Sequence, residues 1–213
     1  MKVIILAAGM GSRMGDLTKD EPKCFLNVYG TTLIERLINQ LRNLGLKDIS
    51  IVTGYKAKKF KFNDINFFYN KEFKTSNMVY SLMKAKKKLN DETLIIYSDI
   101  IVSKKILKKM ISKRYNNKLS VAVDTNWKKY WAFRFKNINQ DLESLQINNK
   151  KEITELGKEL RNIKDIDGRF IGIIRFPKSI NKSFLKIWNK EKNKNKKNWG
   201  ISGRSLKKAY MTD

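Results

Sequence analysis

The sequence predicts an α/β fold, a three-layer sandwich in which helices cover both faces of an open, mainly parallel β-sheet. Continuous apolar runs rich in β-branched residues, such as KVIILAA at 2–8, are typical of strands buried on both faces. Segments with apolar residues at helical spacing lie between these runs, so strands and helices alternate. The 213 residues and the 41% apolar content fit a single domain, residues 1–213.

The elements of the first half follow in the order β-α-β-β-α-β, as in an open sheet with crossover helices. A helix is predicted at TTLIERLINQLRNLGL (31–46), where Thr31 or Thr32 can cap the amino end and Gly45 can end the helix. A second helix, NMVYSLMKAKKKL (77–89), is predicted to begin near Asn77. The predicted strands are KVIILAA (2–8), DISIVTG (48–54), NFFYN (66–70) and TLIIYSDIIV (93–102).

The pattern is looser in the second half of the chain, beyond Ile106. Further strands are predicted at KLSVAVD (118–124) and RFIGIIRF (169–176). The segment between them, at 133–158, has turn residues at its Asn and Gly positions. This segment predicts a smaller antiparallel layer.

The formal net charge is +26, from 46 basic and 20 acidic residues. Such a charge is typical of proteins that bind a polyanion such as RNA, DNA or an acidic membrane surface. Lysine and asparagine are spread from end to end, however, as a compositional bias would also produce. The concentrated run WNKEKNKNKKNWG (188–200) fits a solvated helix end or a mobile loop. We therefore keep nucleic-acid binding only as an alternative.

The cysteine and histidine content excludes two kinds of site. The chain has one cysteine, Cys24, and no histidine, so an intramolecular disulfide and zinc-ligand spacing are both excluded. Glycines interrupt the apolar run Val3–Ala8 before it reaches the length of a secretory signal. No stretch approaches the roughly 20 apolar residues that span a bilayer. We expect a cytoplasmic protein without membrane insertion.

A glycine-rich loop, LAAGMGSRMGDLTKDEPK (6–23), follows the first strand at the edge where open parallel sheets bind ligands. Its glycines let backbone N–H groups approach phosphate oxygens, and its polar side chains add charged and neutral donors. The spacing is neither a Walker A motif nor the full dinucleotide fingerprint. The candidate triphosphate ligands are Gly9, Gly11, Ser12, Arg13 and Lys23.

This loop and the residues after it resemble the nucleotidyltransferases that make activated sugars and alcohols, the nucleoside-diphosphate-sugar pyrophosphorylase-like family. The resemblance rests on LAAGMGSRMGDLTKDEPKCFLNVYGTTLIERLINQL (6–41) and GLKDISIVTGY (45–55). Later stretches are similar to the branch that contains bacterial phosphocholine cytidylyltransferase and CTP:phosphoglutamine cytidylyltransferase. They are YNKEFKTSNMVYSL (69–82), DTNWKKYWAFRFKNINQDLESLQIN (124–148), EITELGKEL (152–160) and DIDGRFIGIIRF (165–176).

The resemblance implies a Rossmann-like, glycosyltransferase-A-like fold with a nucleotide-binding half (1–106) and an acceptor-binding half (107–213). It implies a Mg²⁺-dependent cytidylyltransferase that transfers CMP from CTP to a small phosphorylated acceptor, releasing pyrophosphate, for decoration of a surface polysaccharide or lipid. A homodimer is compatible with it. The implied catalytic residues are Arg13, Lys23 at the α-phosphoryl group and Asp99, which would also hold the metal. The implied CTP-binding residues are Leu6, Ala7, Ala8, Gly9, Gly11, Ser12, Asn77 and Ser81.

Two departures from the family pattern bear on this site. Asp16 stands where many relatives have proline, which changes the stiffness of the loop. The chain ends at KAYMTD (208–213), whereas relatives continue into an acidic Trp-x-Glu-x-Asp motif that supplies another magnesium ligand. Under the resemblance, either the carboxyl terminus is truncated or a second carboxylate comes from elsewhere, and Asp213 is a candidate.

The acceptor is left open by the sequence. A choline-type acceptor predicts an aromatic box around its quaternary ammonium, although aromatic residues at this spacing are also typical of a core. A phosphorylated amino acid or an aminoalkyl phosphonate would need carboxylates for its amine, and Arg134 or a lysine for a carboxylate. The candidate acceptor-binding residues are Trp127, Tyr130, Trp131, Arg134 and Glu143, with Asp124 nearby. A sugar-1-phosphate nucleotidyltransferase and a non-catalytic basic nucleotide- or nucleic-acid-binding module are the alternatives.

Overall fold

Ten strands and five α-helices lie in the part of the chain that the structure, a computed structural model, describes: residues 1–115, 117–160, 163, 166–192 and 203–213. The strands are β1 (Lys2–Ala7), β2 (Asn27–Val28), β3 (Thr31–Thr32), β4 (Ile49–Thr53), β5 (Ile65–Tyr69), β6 (Thr93–Tyr97), β7 (Ser120–Asp124), β8 (Glu143–Ile147), β9 (Ile153–Glu159) and β10 (Arg169–Phe176). The helices are α1 (Leu33–Arg42), α2 (Met78–Lys84), α3 (Lys104–Met110), α4 (Trp127–Arg134) and α5 (Lys178–Glu191).

Six of the strands form one sheet, in the order β5-β4-β1-β6-β10-β7. Strand β1 pairs in parallel with β4 and β6, and β4 pairs in parallel with β5. Strand β10 is antiparallel to both β6 and β7. The prediction of a mainly parallel sheet is confirmed. The carboxyl ends of β5, β4, β1 and β6 meet at one edge, and the glycine-rich loop begins there.

Alternate residues of β1 enter two separate apolar layers, because successive side chains of a strand point to opposite faces. Val3 and Ile5 belong to a cluster that includes side chains of α1 and α3. Ile4 and Leu6 belong to a second cluster that includes side chains of α2 and α5. Helices therefore cover both faces of the sheet, and the three-layer prediction is confirmed.

Helix α1 shows how local sequence signals set an element. Thr32, rather than Thr31, is the cap: its hydroxyl accepts a hydrogen bond from the Glu35 N–H at 3.3 Å, and the Glu35 carboxylate accepts one from the Thr32 N–H at 3.1 Å. This reciprocal pair is a capping box. The helix ends at Arg42, and Gly45 follows with a φ of 80° that a side chain would strain.

The predicted antiparallel layer is present as the hairpin of β8 and β9. It is shorter than the predicted segment 133–158, because Phe133 and Arg134 end helix α4. This helix has no continuous apolar stripe, since Trp127 is its one buried residue, so periodicity does not reveal it. The basic run at 188–200 begins at the end of α5, and from residue 193 onwards it lies outside the described residues.

None of the helices within the described ranges is both long enough and apolar enough to cross a bilayer.

Replacing Thr32 with alanine is expected to lower the free energy of unfolding by about 1 kcal/mol, because the N-cap side chain satisfies a helix N–H that otherwise has no partner. Urea denaturation followed by circular dichroism measures this loss. Thr31→Ala is the matched control, since Thr32 forms the cap. Equal losses in the two variants would contradict the assignment of the cap.

Candidate active site

A cleft of about 890 Å³ opens at the carboxyl edge of the parallel strands. Its walls come from the end of β1, the glycine-rich loop, the turn at Lys23, the start of α2 and the end of β6. All the residues that the resemblance assigns to CTP or to catalysis line this cleft: Leu6, Ala7, Ala8, Gly9, Gly11, Ser12, Arg13, Lys23, Asn77, Ser81 and Asp99. The parallel sheet brings them together because β1 lies between β4 and β6.

The glycine-rich loop is held by its own residues. The buried Thr18 hydroxyl donates to the Gly11 carbonyl at 3.0 Å and approaches the Gly15 carbonyl at 3.3 Å. Gly11 has a φ of +67°, and a Cβ there would lie 3.0 Å from the Lys23 Cβ. Thr18 therefore shapes the loop, and glycine at position 11 lets the loop lie against Lys23.

Gly54, which sequence reasoning did not assign to the site, sets the position of Ala8. The Tyr55 N–H donates to the Ala8 carbonyl at 3.1 Å. A Cβ on Gly54 would lie 2.6 Å from both the Ala8 carbonyl oxygen and the Phe73 Cβ. Only a glycine allows this approach. The available signal was a glycine directly after a buried strand in the matched GLKDISIVTGY stretch.

Lys23 and Asp99 form an ion pair on the cleft wall. The Lys23 Nζ lies 2.8 Å from the Asp99 Oδ2, and the two side chains are 34% and 37% exposed. Pro22 precedes the short 3-10 turn that carries Lys23, and Asp99 follows the end of β6. The two groups that the resemblance assigns to phosphate and metal are thus direct neighbours. Each can give up this contact for an oppositely charged group of a ligand.

Cys24 lies buried next to this ion pair. Burial raises the pKa of its thiol to about 12, although a hydrogen bond with Ser98 acts in the opposite direction. The thiol is therefore neutral near neutral pH, and a neutral thiol is a poor nucleophile and metal ligand. Cys24 acts as a core residue.

Buried polar contacts hold the opposite wall of the cleft. The fully buried Asn70 donates to the hydroxyls of Ser76 and Ser81, each at 3.0 Å. Asn77 precedes α2, and its side-chain oxygen accepts from the Met78 N–H at 2.9 Å. Ser81 is therefore oriented by Asn70, while Asn77 keeps its amide group beside the cleft.

The carboxyl-terminal segment, residues 205–213, packs against the same wall. Its carbonyls at Lys207 and Ala209 accept hydrogen bonds from the Asn77 and Val79 N–H groups, at 2.9 and 3.3 Å. The Lys207 Nζ also lies 2.7 Å from Glu72. Hydrogen bonds from Lys207, and then Tyr80, lower the pKa of Glu72 to about 2. This anionic residue therefore helps to anchor the segment beside Asn77.

Asp213, the candidate for a second metal carboxylate, accepts a hydrogen bond from the Tyr210 N–H at 2.8 Å. It is not among the described residues that line the cleft, whereas Asp141 is.

A smaller pocket of about 190 Å³ adjoins the cleft. Arg134 lines both cavities. All the candidate acceptor-binding residues line this pocket, together with a guanidinium that sequence reasoning missed: Asp124, Trp127, Tyr130, Trp131, Arg134, Glu143 and Arg169. Arg169 lies within the matched DIDGRFIGIIRF stretch, but it was missed because it is distant in sequence from the other pocket residues.

The aromatic residues of the pocket already have partners. Trp127 is 1% exposed and packs on Leu142 and Ile166. Trp131 meets Trp127 edge to face at 5.9 Å, and the Arg169 guanidinium lies 4.0 Å from the centre of the Trp131 ring. Trp127 thus belongs to a small core, and a cation of the protein covers one face of Trp131.

The charged groups of the pocket are partly desolvated. Burial raises the pKa of Glu143, and nearby Arg169 opposes that rise. Burial lowers the pKa of Arg169, and Glu143 and Asp141 oppose that fall. Two opposite charges therefore face one small cavity whose low dielectric strengthens their attraction for a ligand.

Gly9 and Gly54 should respond differently to alanine. A Cβ at Gly9 meets no atom within 4 Å, whereas one at Gly54 meets backbone at 2.6 Å. We expect Gly54→Ala to lower stability by about 1–3 kcal/mol through overpacking. Gly9→Ala should leave stability unchanged and weaken nucleotide binding about tenfold or more, because its methyl group occupies space that a phosphate needs.

Thermal melting and calorimetric titration with CTP in the presence of Mg²⁺ separate these effects, and each variant serves as the control for the other. Unaltered CTP binding by Gly9→Ala would argue against phosphate contact at this glycine.

Glu72→Gln should loosen the carboxyl-terminal segment near neutral pH. The folded pKa of Glu72 is lowered from 4.5 to about 2, so its anchoring effect is complete above the unfolded value and is lost as the pH falls toward 2. Amide hydrogen exchange at Asn77 and Val79 reports the anchor directly, since both amides donate to this segment. We expect faster exchange in the variant near neutral pH and convergence with the native chain in acid.

Glu152→Gln, which changes an exposed carboxylate on the β8–β9 turn, is the control for this experiment. Identical exchange in Glu72→Gln and the native chain near neutral pH would show that the ion pair does not hold the segment.

Comparison with known proteins places the chain in a family. Residues 3–160 match the MobA-like NTP transferase domain. The CTP:phosphoglutamine cytidylyltransferase of Campylobacter jejuni is 34% identical over 83% of this chain and 73% of its own length. The choline-phosphate cytidylyltransferase of Haemophilus influenzae is 36% identical over 50% of this chain and 47% of its own length.

A solved structure of CTP:phosphocholine cytidylyltransferase from Streptococcus pneumoniae has the same fold. The TM-score is 0.68, with 90% of this chain and 77% of that chain covered at 20% identity. The family prediction made from the glycine-rich loop is therefore confirmed: the chain belongs to the MobA-like NTP transferase family and is a nucleotidyltransferase.

Proposed function

We propose that this nucleotidyltransferase is a cytidylyltransferase, which uses CTP and Mg²⁺ to transfer CMP to a small phosphorylated acceptor. The observation that carries the proposal is the position of Arg134, which lines both the glycine-loop cleft and the charged pocket. A nucleotide in the cleft and an acceptor in the pocket would bring their phosphates together beside this guanidinium. The two sequence relatives described above are both cytidylyltransferases by name, which supports CTP as the donor.

In the proposed reaction, an oxygen of the acceptor phosphate attacks the α-phosphorus of CTP. A P–O bond forms between them, while the bond from the α-phosphorus to the oxygen that bridges to the β-phosphate breaks. Pyrophosphate leaves with that electron pair. No general base is needed, because the second pKa of a phosphate monoester is about 6 and the acceptor is largely dianionic at neutral pH. A chain without histidine can therefore perform this chemistry.

Lys23 and Arg13, which both line the cleft, would neutralise the negative charge of the phosphates. Negative charge develops on the transferred group and on the leaving pyrophosphate, and fixed cations stabilise it. The Lys23 ammonium contacts Asp99 in this structure and is partly exposed to the cleft. A triphosphate in the cleft would offer this ammonium further anionic oxygens. The short turn after Pro22 limits the range of positions that Lys23 can take.

Asp99 is the residue suited to hold Mg²⁺. The ion prefers oxygen ligands and often binds through one or two carboxylates together with substrate phosphates. The Asp99 carboxylate is 37% exposed on the cleft wall, so it is accessible to such an ion. Within the described ranges no group of three or more His, Cys, Asp or Glu side chains is placed to hold a metal. Bound magnesium would supply positive charge beside the triphosphate, and phosphate oxygens could serve as further ligands of the ion.

Under this proposal the product is a CDP-linked small molecule, made in the cytoplasm for decoration of a surface polysaccharide or lipid.

Pyrophosphate release with Mg²⁺ tests the proposal. CTP, UTP, GTP and ATP are each combined with phosphocholine, phosphoglutamine, 2-aminoethylphosphonate and hexose 1-phosphates. We expect turnover with CTP and a small acceptor. Turnover with a hexose 1-phosphate alone would instead identify a sugar-1-phosphate nucleotidyltransferase. No turnover, combined with steeply salt-dependent oligonucleotide binding, would identify a basic binding module.

Lys23→Ala should lower kcat by about 10²–10³, as expected for loss of a donor that stabilises transition-state charge. Lys47→Ala is the control, because Lys47 precedes β4 and so lies at the opposite edge of the sheet from the cleft. An unchanged kcat in Lys23→Ala would remove this residue from the mechanism.

A further inference from the structure

The acceptor pocket presents two opposite charges that are not directly paired with each other. Glu143 and Arg169 both line it, and each influences the pKa of the other. The two side chains nevertheless form no ion pair with each other. Within the described ranges the Arg169 guanidinium pairs with no carboxylate, and the Glu143 carboxylate accepts no hydrogen bond. Both remain available to a ligand that carries a positive and a negative group.

Backbone carbonyls hold the Arg169 guanidinium in place, and some of its N–H donors are not used in these contacts. Its Nη2 donates to the Asp141 carbonyl at 2.7 Å, and its Nη1 lies 3.5 Å from the Glu143 carbonyl. The guanidinium also lies over the Trp131 ring. A guanidinium has more N–H donors than these contacts use, and its planar fork matches a carboxylate. Arg169 is therefore a rigid cation with a free edge beside the pocket.

The same contacts disfavour a quaternary ammonium. An aromatic box requires exposed ring faces, but Trp127 is buried and Arg169 covers one face of Trp131. Two guanidinium groups, Arg134 and Arg169, line the pocket beside its carboxylates, and a quaternary ammonium cannot donate hydrogen bonds to those carboxylates. A primary ammonium differs, because it can donate to the Glu143 carboxylate.

We propose that the acceptor carries both an ammonium and a carboxylate at the end remote from its phosphate, as a phosphorylated amino acid does. Arg169 binds the carboxylate, Glu143 binds the ammonium, and Arg134, at the junction with the cleft, faces the phosphate. This inference rests on the proposed cytidylyltransferase activity. It makes Arg169 the specificity-determining residue. The sequence suggested Arg134 or a lysine for this carboxylate-binding role.

The test uses acceptors that differ by one group. The first set is phosphoglutamine, its analogue without the α-carboxylate and its analogue without the α-amine. The second pair is O-phosphoserine and phosphoethanolamine, which differ only in the carboxylate. For each, kcat/KM with CTP is measured for the native chain and for Arg169→Gln, Arg169→Lys and Glu143→Gln. Arg42→Gln, an exposed arginine on α1 outside both cavities, is the matched control.

We expect the native chain to prefer the carboxylated member by about 10- to 100-fold, as for a charged hydrogen-bonded group. Arg169→Gln should abolish this preference, chiefly by lowering kcat/KM for the carboxylated member, whereas Arg169→Lys should restore part of it. Glu143→Gln should reduce the preference for the amine instead. If thermal melting shows that Arg169→Gln does not fold, the kcat/KM values of Arg169→Lys and Glu143→Gln across the same acceptors test the proposal.

Calorimetric binding of the same acceptors, with Mg²⁺ and α,β-methylene-CTP, separates the two proposals. Binding that depends on Arg169 and on the carboxylate, without turnover, would uphold the acceptor assignment and overturn the activity. Turnover with phosphocholine or phosphoethanolamine equal to that of the carboxylated acceptors would uphold the activity and overturn the assignment. Absence of both binding and turnover with all carboxylated acceptors would also overturn the assignment.

Discussion

The parallel pairing of β1 with β6 is the constraint on which the rest of the site depends. Leu6 lies opposite Tyr97 in this register, and the Ser98 N–H donates to the Leu6 carbonyl at 3.2 Å. The chain therefore leaves β6 directly beside the glycine-rich loop, with Asp99 within reach of Lys23. A slip of one residue would turn every side chain of the strand to the other face and separate these groups.

The charged pocket depends on a second feature of the same sheet, the antiparallel strand β10. An antiparallel strand enters the sheet at the edge where its parallel neighbours end. Because Ile173 lies opposite Ile96, the first residue of β10, Arg169, lies at the carboxyl edge of β6, next to the cleft. Gly172, with a φ of +82°, allows β10 to pack against Tyr97 of β6, since a Cβ there would lie 2.7 Å from the Tyr97 ring. Sheet topology thus joins the glycine-loop cleft to the charged pocket.

Two different electrostatic arrangements result. On the cleft wall Lys23 and Asp99 are paired at 2.8 Å and partly exposed, so the pair is weakly held and its members can exchange partners. In the pocket Glu143 and Arg169 are more deeply buried and form no ion pair with each other, so each would gain from an external partner. The first arrangement suits a phosphate and a metal ion, and the second suits a zwitterion.

The sequence by itself determined the alternation of strands and helices, the glycine-rich loop and the family, because these depend on local periodicity and short motifs. Lys23 and Asp99 could be named because they lie in such motifs. Only the tertiary structure decided that Trp127 is core, that Gly54 positions Ala8 and that Arg169 faces the charged pocket. The physical reason is that burial and charge pairing arise between residues distant in the chain, and strand order, which sets those contacts, has no local signal.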